Sequence, residues 1–318
     1  MNRRLKARLG WGAIAVAAVL VLGTAPAAAA DGDGDGVPNG NDRCPTQRGP
    51  RPSGCPVGKW RLRNTNSAGP ADIRFSFGIS AWTPVAGDWD GDGDDFVGGY
   101  DPQNGRWHLV ELAEESATEA DVVRLVDCLV SSIVAPGPRI PITGDWDGDG
   151  DDTVGVYTPR TGQFHLRNSN TTGPPDLVFA FGGVQPSRHI RAVAGDFDGD
   201  GVHTVGLYRR DTRTWRLTNT NAPGAPDLNF SWGVSNLGSA AVIGDWDANG
   251  TETVGTASPR ITNEVVEAVF RLRNTNAPGP ADLSFSWGGL NAGSYEIGGS
   301  VVGDWNGDGT DSTGFRIP

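Results

Sequence analysis

The stretch GDWDGDGDDTVGVY at residues 144–157 sets the plan of the chain, because it occurs in five related copies. The others are GDWDGDGDDFVGGY from Gly87, GDFDGDGVHTVGLY from Gly195, GDWDANGTETVGTA from Gly244 and GDWNGDGTDSTGFR from Gly303. The first aspartates of successive copies are 57, 51, 49 and 59 residues apart. Intervals of this length hold four short strands with their turns, so the sequence indicates a repeated β unit.

A second signature alternates with the first. It reads KWRLRNTNSAGPADIRFSFG from Lys59 and recurs from Gln163, Thr214 and Val269, and RWHLVE from Arg106 begins a degenerate copy. Residues 59–87 and 304–318 each carry half a unit and together supply one. Pairing these two halves would remove the unpaired edges that an open array exposes. We therefore predict an all-β fold: a five-bladed β-propeller over residues 59–318, closed by pairing of its N- and C-terminal strands.

Aromatic residues recur at one strand position of each unit, in runs where apolar and polar residues alternate. This pattern predicts packing between the blades, and a sugar-binding ring is the alternative. The five residues are Trp60, Trp107, Phe164, Trp215 and Phe270. The next position is always basic (Arg61, His108, His165, Arg216 and Arg271) and could either contact an anionic ligand or form salt bridges to nearby aspartates.

Residues 109–134 depart from the repeat. The segment contains ELAEESATEADVVRLVDCLVSS, which favours a helical insertion. It also contains Cys128, which we interpret as a buried thiol in preference to an intermolecular bridge. The other two cysteines, Cys44 and Cys55, are close together in the sequence and are predicted to form a disulfide.

Residues 1–30 have the features of a signal peptide. Four basic residues precede the apolar run WGAIAVAAVLVLG, and an alanine run then ends at Ala30. The apolar run is short for a membrane span, so we expect cleavage and secretion into the extracellular space, with an uncleaved anchor as the alternative. Removing four basic residues changes the net charge from −12 to −16. Such acidity argues against nucleic acid or anionic lipid as partners.

Each copy of the first signature contains a loop of the form D-x-[DN]-x-[DN]-G. Calcium prefers six to eight oxygen ligands, which side chains at loop positions 1, 3 and 5 and the carbonyl at position 7 can supply if glycine at position 6 lets the chain turn. Aspartate-rich turns without metal are the alternative. The predicted Ca²⁺ ligands are Asp88, Asp90, Asp92 and Asp94; Asp145, Asp147, Asp149 and Asp151; Asp196, Asp198, Asp200 and Val202; Asp245, Asp247, Asn249 and Thr251; and Asp304, Asn306, Asp308 and Thr310.

These loops resemble the FG-GAP/VCBS repeats of integrin-type propellers, and the resemblance covers residues 59–318. It implies a structural role for calcium between two strands, and adhesion as a function. The family's pattern has an acid at position 9, where this chain has Phe96, Thr153, Thr204, Thr253 or Ser312. Asp95, Asp152 and Asp311 stand one place earlier. The resemblance therefore implies weak calcium affinity or altered geometry.

Residues 31–58 are similar to a thrombospondin type 3 repeat, on the evidence of DGDGDGVPNGND followed by two Cys-Pro pairs. In that family calcium and a disulfide stiffen a short spacer. The resemblance implies a further site formed by Asp31, Asp33, Asp35, the Val37 carbonyl and Asp42, with Gly36 at the turn.

No catalytic motif is found in the sequence, so we expect a binding or adhesion module, monomeric, with an extracellular glycan or protein as ligand. The loops R-N-[TS]-N-x-x-G-x-x-D could bind sugar hydroxyls or form Asx turns. Their polar residues are Asn66 and Asp72, Asn170 and Asp176, Asn221 and Asp227, and Asn276 and Asp282. The alternative is a glycan-degrading hydrolase that uses two carboxylates. Its acids would come from Glu111, Glu114, Glu115, Glu119, Glu264, Glu267 and Glu296.

Overall fold

The computed structural model describes residues 31–35, 37–39, 41–44, 54–112, 122–129, 138–183, 189–234, 239–262, 265–291 and 299–317. The predicted signal peptide lies outside these residues. In the part of the chain that is described, no helix has the length and apolar character needed to cross a membrane.

Twenty β-strands form five antiparallel sheets of four strands each. Their bounds in chain order are β1 Val57–Leu62, β2 Ile73–Ile79, β3 Thr83–Gly87, β4 Phe96–Asp101, β5 Arg106–Leu112, β6 Val122–Leu129, β7 Ile140–Gly144, β8 Thr153–Thr158, β9 Gln163–Leu166, β10 Leu177–Ala180, β11 Ile190–Gly195, β12 Thr204–Arg209, β13 Thr214–Leu217, β14 Leu228–Ser231, β15 Ala240–Gly244, β16 Thr253–Thr262, β17 Val265–Leu272, β18 Leu283–Asn291, β19 Ser300–Gly303 and β20 Ser312–Ile317. Blades 1 to 4 are β3–β6, β7–β10, β11–β14 and β15–β18. Blade 5 is β19-β20-β1-β2.

The ring is closed as the sequence predicts. In blade 5, β1 pairs with β20, and the register places Lys59 opposite Ile317 and Leu62 opposite Gly314. The innermost strands β3, β7, β11, β15 and β19 each contact the next, and β19 contacts β3. The structure is therefore a five-bladed β-propeller in which the two ends of the repeat region complete one blade.

The recurrent aromatics are in the core. Trp60, Trp107, Phe164, Trp215 and Phe270 are all at most 1% exposed. They pack with apolar side chains of their own blade and of the next: Phe164 lies 4.6 Å from Tyr157 between ring centroids and shares a core cluster with Val205 and Leu207 of blade 3. The core interpretation is confirmed, and these rings offer no face to a sugar.

The predicted helical insertion is wrong for the residues that the structure describes. Residues 106–112 and 122–129 are strands β5 and β6, which pair in register with Trp107 opposite Cys128. The run Val122–Leu129 contains β-branched residues, and the outer edge of β5 needs a hydrogen-bonding partner. Completing the blade therefore outweighs the weak helix preference of the Glu- and Ala-rich stretch. Residues 113–121 lie outside the described part.

The N-terminal segment is attached to the propeller at blades 1 and 5. The predicted disulfide between Cys44 and Cys55 is present. Arg43 Nη2 lies 2.6 Å from Oδ1 of the buried Asp101 at the end of β4. The Ser80 amide donates to the Pro56 carbonyl at 2.9 Å. These contacts hold the segment on the side of the ring away from the aspartate loops. Cys128 lies in β6, as expected for a strand thiol.

Candidate functional site

The aspartate loops connect the first and second strands of every blade and share one hydrogen-bond pattern. In blade 2, Asp145 Oδ1 accepts the amides of Gly148 at 2.7 Å and Asp149 at 3.2 Å, and Oδ2 accepts the amide of Gly150 at 2.9 Å. The position-1 aspartates of the other blades accept the equivalent amides of positions 5 and 6. A carboxylate that satisfies several amides fixes the loop in a tight curve.

This curve brings acidic side chains together. In blades 1 to 3 and in the N-terminal segment, three carboxylates each contribute an oxygen that lies within 4.8 Å of the other two. The groups are Asp88, Asp90 and Asp92; Asp145, Asp147 and Asp149; Asp196, Asp198 and Asp200; and Asp31, Asp33 and Asp35. Glycine at position 6 has a positive φ in all five loops, 96° at Gly93 and 80° at Gly250, as the sequence predicts.

Blades 4 and 5 keep the loop shape with fewer charges. Asn249 and Asn306 replace one acid each, so two carboxylates remain in each loop. Asn249 Oδ1 accepts the Thr251 amide at 2.8 Å, as Asp149 does for Asp151 at 3.1 Å. Ala248 occupies a position with φ of 55° where the other loops have glycine, so this turn carries some backbone strain.

The carboxylates raise one another's pKa. Burial, followed by the charge of Asp149, raises the pKa of Asp147, and the same two causes raise the pKa of Asp151. Burial and then Asp200 raise the pKa of Asp198. Such shifts mark repulsion that a divalent cation would relieve. Several hard oxygen donors around one turn suit Ca²⁺ better than metals that prefer nitrogen or sulfur, so the residues present fit the predicted ion.

Position 9 holds strands together and does not point to the loop carboxylates. Thr204 Oγ1 donates to the Gly195 carbonyl at 3.3 Å and to the Thr218 carbonyl at 2.6 Å, which ties β12 to the strands on both sides. Thr153 and Ser312 donate to the equivalent carbonyls of Gly144 and Gly303. In blades 2 to 5 the missing acid is therefore replaced by a buried hydroxyl with a structural role, whereas blade 1 has Phe96 at this position.

The residues at loop position 8 form a ring around the central axis of the propeller, which the sequence pattern did not predict. The five residues are Asp95, Asp152, His203, Glu252 and Asp311. The amide of each one donates to the carbonyl of the position-1 aspartate in the preceding blade, at 2.5–2.9 Å. The four acids also accept the amide of that same aspartate, for example Asp196 N to Glu252 Oε2 at 2.7 Å. Each aspartate loop is thus held to the next blade by these hydrogen bonds.

Charges on this ring lie close together around a cavity of about 120 Å³. Burial raises the pKa of Asp95, Asp311 and Glu252, and the pKa of Asp152 to about 7. His203 lies 3.4 Å from Asp152 Oδ1 and 3.5 Å from Glu252 Oε2. Burial lowers its pKa, but these two carboxylates outweigh that effect and raise it to about 8. The sequence carries one sign of this ring, because the residue at position 8 is ionisable in all five blades.

The N-terminal segment contains one buried aspartate, and one of its two carboxylate oxygens has no hydrogen-bond partner among the described residues. Asp42 is 9% exposed; its Oδ1 accepts the Cys44 amide at 2.7 Å, whereas its Oδ2 has no hydrogen-bond partner among the described residues. Asp35 Oδ1 accepts the Val37 amide at 2.7 Å. The structure places Asp31, Asp33 and Asp35 together and does not group Asp42 with them. Gly36 lies outside the described residues.

The Asn-rich loops use their polar groups internally. Asn170 Nδ2 donates to the Asp152 carbonyl at 2.8 Å, and Asp176 Oδ2 accepts the Asn168 amide at 2.9 Å. The same two bonds recur at Asn66 and Asp72, at Asn221 and Asp227, and at the donor Asn276 and acceptor Asp282. The neighbouring aromatics Phe181, Trp232 and Trp287 are buried. These side chains therefore make structural hydrogen bonds to residues at least eight positions away, and these bonds are not the short-range bonds of an Asx turn.

The carboxylates considered for hydrolysis are not assembled in the described structure. Glu267 pairs with Arg260, and a hydrogen bond from that guanidinium lowers its pKa, which is the opposite of what a general acid requires. Glu114, Glu115, Glu119, Glu264 and Glu296 lie outside the described residues, as does the side chain of Glu111. The expectation of a non-catalytic protein stays a prediction.

Comparisons with known proteins add little. No protein-family model matches the chain, and no curated protein matches it. Among solved structures, the pore of the Photorhabdus luminescens Tc holotoxin is similar at 12% identity over 81% of this chain, with a TM-score of 0.38. The match spans 14% of that toxin chain. A likeness at this level carries no argument about function.

Proposed function

We propose that this chain is a secreted binding module whose ring is stabilised by calcium and which presents its loops and blade surfaces to an extracellular glycan or protein. The observation that supports this proposal best is the repeated aspartate loop. Three of the five loops gather three carboxylates at one end of the ring, and the first aspartate of every loop is hydrogen-bonded to the next blade. A cation bound there would stiffen the contacts between blades.

The calcium supply outside cells suits such loops. Extracellular calcium modules bind with dissociation constants of about 10⁻⁴–10⁻³ M, a range that would fill weak sites outside a cell and leave them empty inside. This match accords with secretion, with the FG-GAP/VCBS-like pattern and with the disulfide between Cys44 and Cys55, which needs an oxidising compartment.

A binding screen tests the proposal. The full chain without residues 1–30 is applied to an array of glycans and extracellular proteins at about 2 mM calcium (roughly twice the upper end of the range above) and again in excess EDTA. We expect selective binding that is lost with the chelator and restored by calcium. Absence of any bound ligand in calcium, or binding that is unchanged by EDTA, would contradict the proposal.

A further inference from the structure

A basic surface interrupts this acidic protein on blade 3. The segment RRDTRTWR at residues 209–216 contains four arginines and one aspartate, whereas the whole chain has a net charge of −12. The segment forms the end of β12, the turn and most of β13. It lies at the end of the blade opposite the aspartate loops, because those loops follow β11 on the other side of the ring.

Strand register places two of these arginines on one face of the sheet. Leu207 is opposite Arg216, and Arg209 is opposite Thr214, so all four side chains share a face. This face is turned toward blade 2, because Gly182 leaves no room for a side chain against Leu207 Cδ1 and Leu207 packs in the core cluster of blade 2. The two arginines therefore lie in the groove between blades 2 and 3.

A pocket of about 180 Å³ opens in this groove. Its lining combines an apolar floor, two hydroxyls and two guanidinium groups: Ile190, Leu207, Thr212, Thr214, Arg209 and Arg216. Thr214 Oγ1 donates to Thr212 Oγ1 at 2.9 Å. On the adjoining strand β14, Asn229 and Ser231 lie opposite Arg216 and Thr214 and are exposed, which extends the polar surface.

The two arginines differ in how their charge is balanced. Arg209 is neutralised by Asp211, with Nε 2.9 Å from Oδ1. Arg216 is partly buried and has neither an ion pair nor a hydrogen bond among the described residues. A guanidinium with no protein partner keeps its hydrogen-bond donors available, so it can bind an anion. The equivalent Arg271 of blade 4 instead donates to Ser258 Oγ at 3.1 Å.

We propose that this pocket between blades 2 and 3 binds the carboxylate or sulfate group of an acidic saccharide, with Arg216 as the anion-binding residue. Thr212 and Thr214 supply hydroxyls for hydrogen bonds to sugar oxygens. This inference rests on the proposed binding function and assigns that function a ligand class and one site per chain. The saccharide is favoured over a simple ion because the pocket, at about 180 Å³, is larger than such an ion needs and adds two hydroxyls to the guanidinium groups.

Calorimetric titration tests the proposal in 150 mM salt (where surface charges are screened beyond about 8 Å) with calcium present. The probes are an oligogalacturonate, a sulfated galacto-oligosaccharide, the neutral galacto-oligosaccharide of the same length and inorganic sulfate. We expect at least one acidic saccharide to bind at one site per chain, and the neutral sugar and sulfate ion to bind at least tenfold more weakly. Arg216→Gln should weaken the binding of the acidic saccharide by roughly 10- to 100-fold, the usual range for loss of a charged hydrogen bond.

Arg271→Gln is the matched control, because it removes the same charge from the same strand position of blade 4 and should leave the affinity unchanged. Equal loss in both variants, equal binding of the neutral sugar or of sulfate alone, or no binding of either acidic saccharide would overturn the proposal. Calcium-dependent binding of some other ligand on the array, retained by Arg216→Gln, would overturn this inference alone and leave the proposed function standing.

Discussion

At the scale of single residues, the first aspartate of each loop has two roles that can be separated. The Asp145 carboxylate accepts four loop amides, and its backbone carbonyl accepts the His203 amide of the next blade at 2.7 Å. Asp147 is exposed and accepts Asn168 Nδ2 at 2.7 Å. Both side chains are predicted metal ligands, but only the first also shapes the loop in the absence of metal.

We therefore expect Asp145→Ala and Asp147→Ala to differ when calcium is removed. In EDTA, Asp145→Ala should lower the free energy of unfolding by about 2–3 kcal/mol, because four amides lose their acceptor. Asp147→Ala should change it by less than about 0.5 kcal/mol, as is usual for exposed substitutions. Urea unfolding with and without calcium measures both effects. A loss for Asp145→Ala in EDTA that is no larger than that for Asp147→Ala would contradict this separation of roles.

At the scale of the strand, one glycine per blade lets the sheet pack. Gly206 of β12 has no space for a side chain, because a Cβ there would lie 2.5 Å from Leu217 Cδ2 and 2.9 Å from Val193 Cγ2. Gly155 and Gly255 are limited in the same way by Leu166 and Leu272. The glycine of the T-V-G motif and the leucine of the following strand are thus a packing pair.

Gly206→Ala should destabilise the protein by about 1–3 kcal/mol through overpacking. Leu217→Ala should lower the free energy of unfolding by less in the Gly206→Ala variant than in the wild type, because the smaller side chain makes room for the new methyl group. Chemical denaturation of the two single variants and the double variant gives the coupling energy. Strictly additive losses would contradict the packing pair.

Element by element, the sequence predicted the strands wherever the repeat was intact and failed where it was interrupted. Period-two alternation and recurrent aromatics are local signals, and they placed Trp60 and Phe164 in the core correctly. Residues 122–129 have no repeat partner in the sequence, and their strand is imposed by the edge of β5, which is a tertiary effect. The basic pocket at Arg216 could not be predicted for a similar reason, because local sequence does not show whether an arginine side chain has a hydrogen-bonding partner.

At the scale of the whole molecule, closure of the ring was predictable from the order of the signatures, but the position-8 ring was not. The sequence showed ionisable residues at Asp95, Asp152, His203, Glu252 and Asp311 without showing that they meet around one axis. Their meeting depends on the assembled ring. His203 is the only base among the five, and it lies between two carboxylates.

This arrangement predicts a pH dependence. The folded protein holds the His203 proton more tightly than the unfolded chain does. The contribution of protonated His203 to the free energy of unfolding is therefore complete below the ordinary pKa of about 6.5 and is lost as the pH rises through the folded-state pKa of about 8. The raised pKa of Asp152 acts in the same direction. In EDTA, stability should fall by roughly 2 kcal/mol between pH 6 and 9, and His203→Gln should flatten this decline. A stability that rises over that interval would contradict the arrangement.

The most direct measurement is the thermal unfolding midpoint of the chain without residues 1–30, taken in calcium and after chelation. At ten times the dissociation constant each site contributes about 1.4 kcal/mol, so five loops contribute roughly 7 kcal/mol, which corresponds to a shift on the order of 10–20 °C. We expect the midpoint to drop by that amount in EDTA and to recover when calcium, but not sodium, is restored. Superimposable unfolding curves in calcium and EDTA would contradict the central claim that calcium in the aspartate loops stabilises the ring.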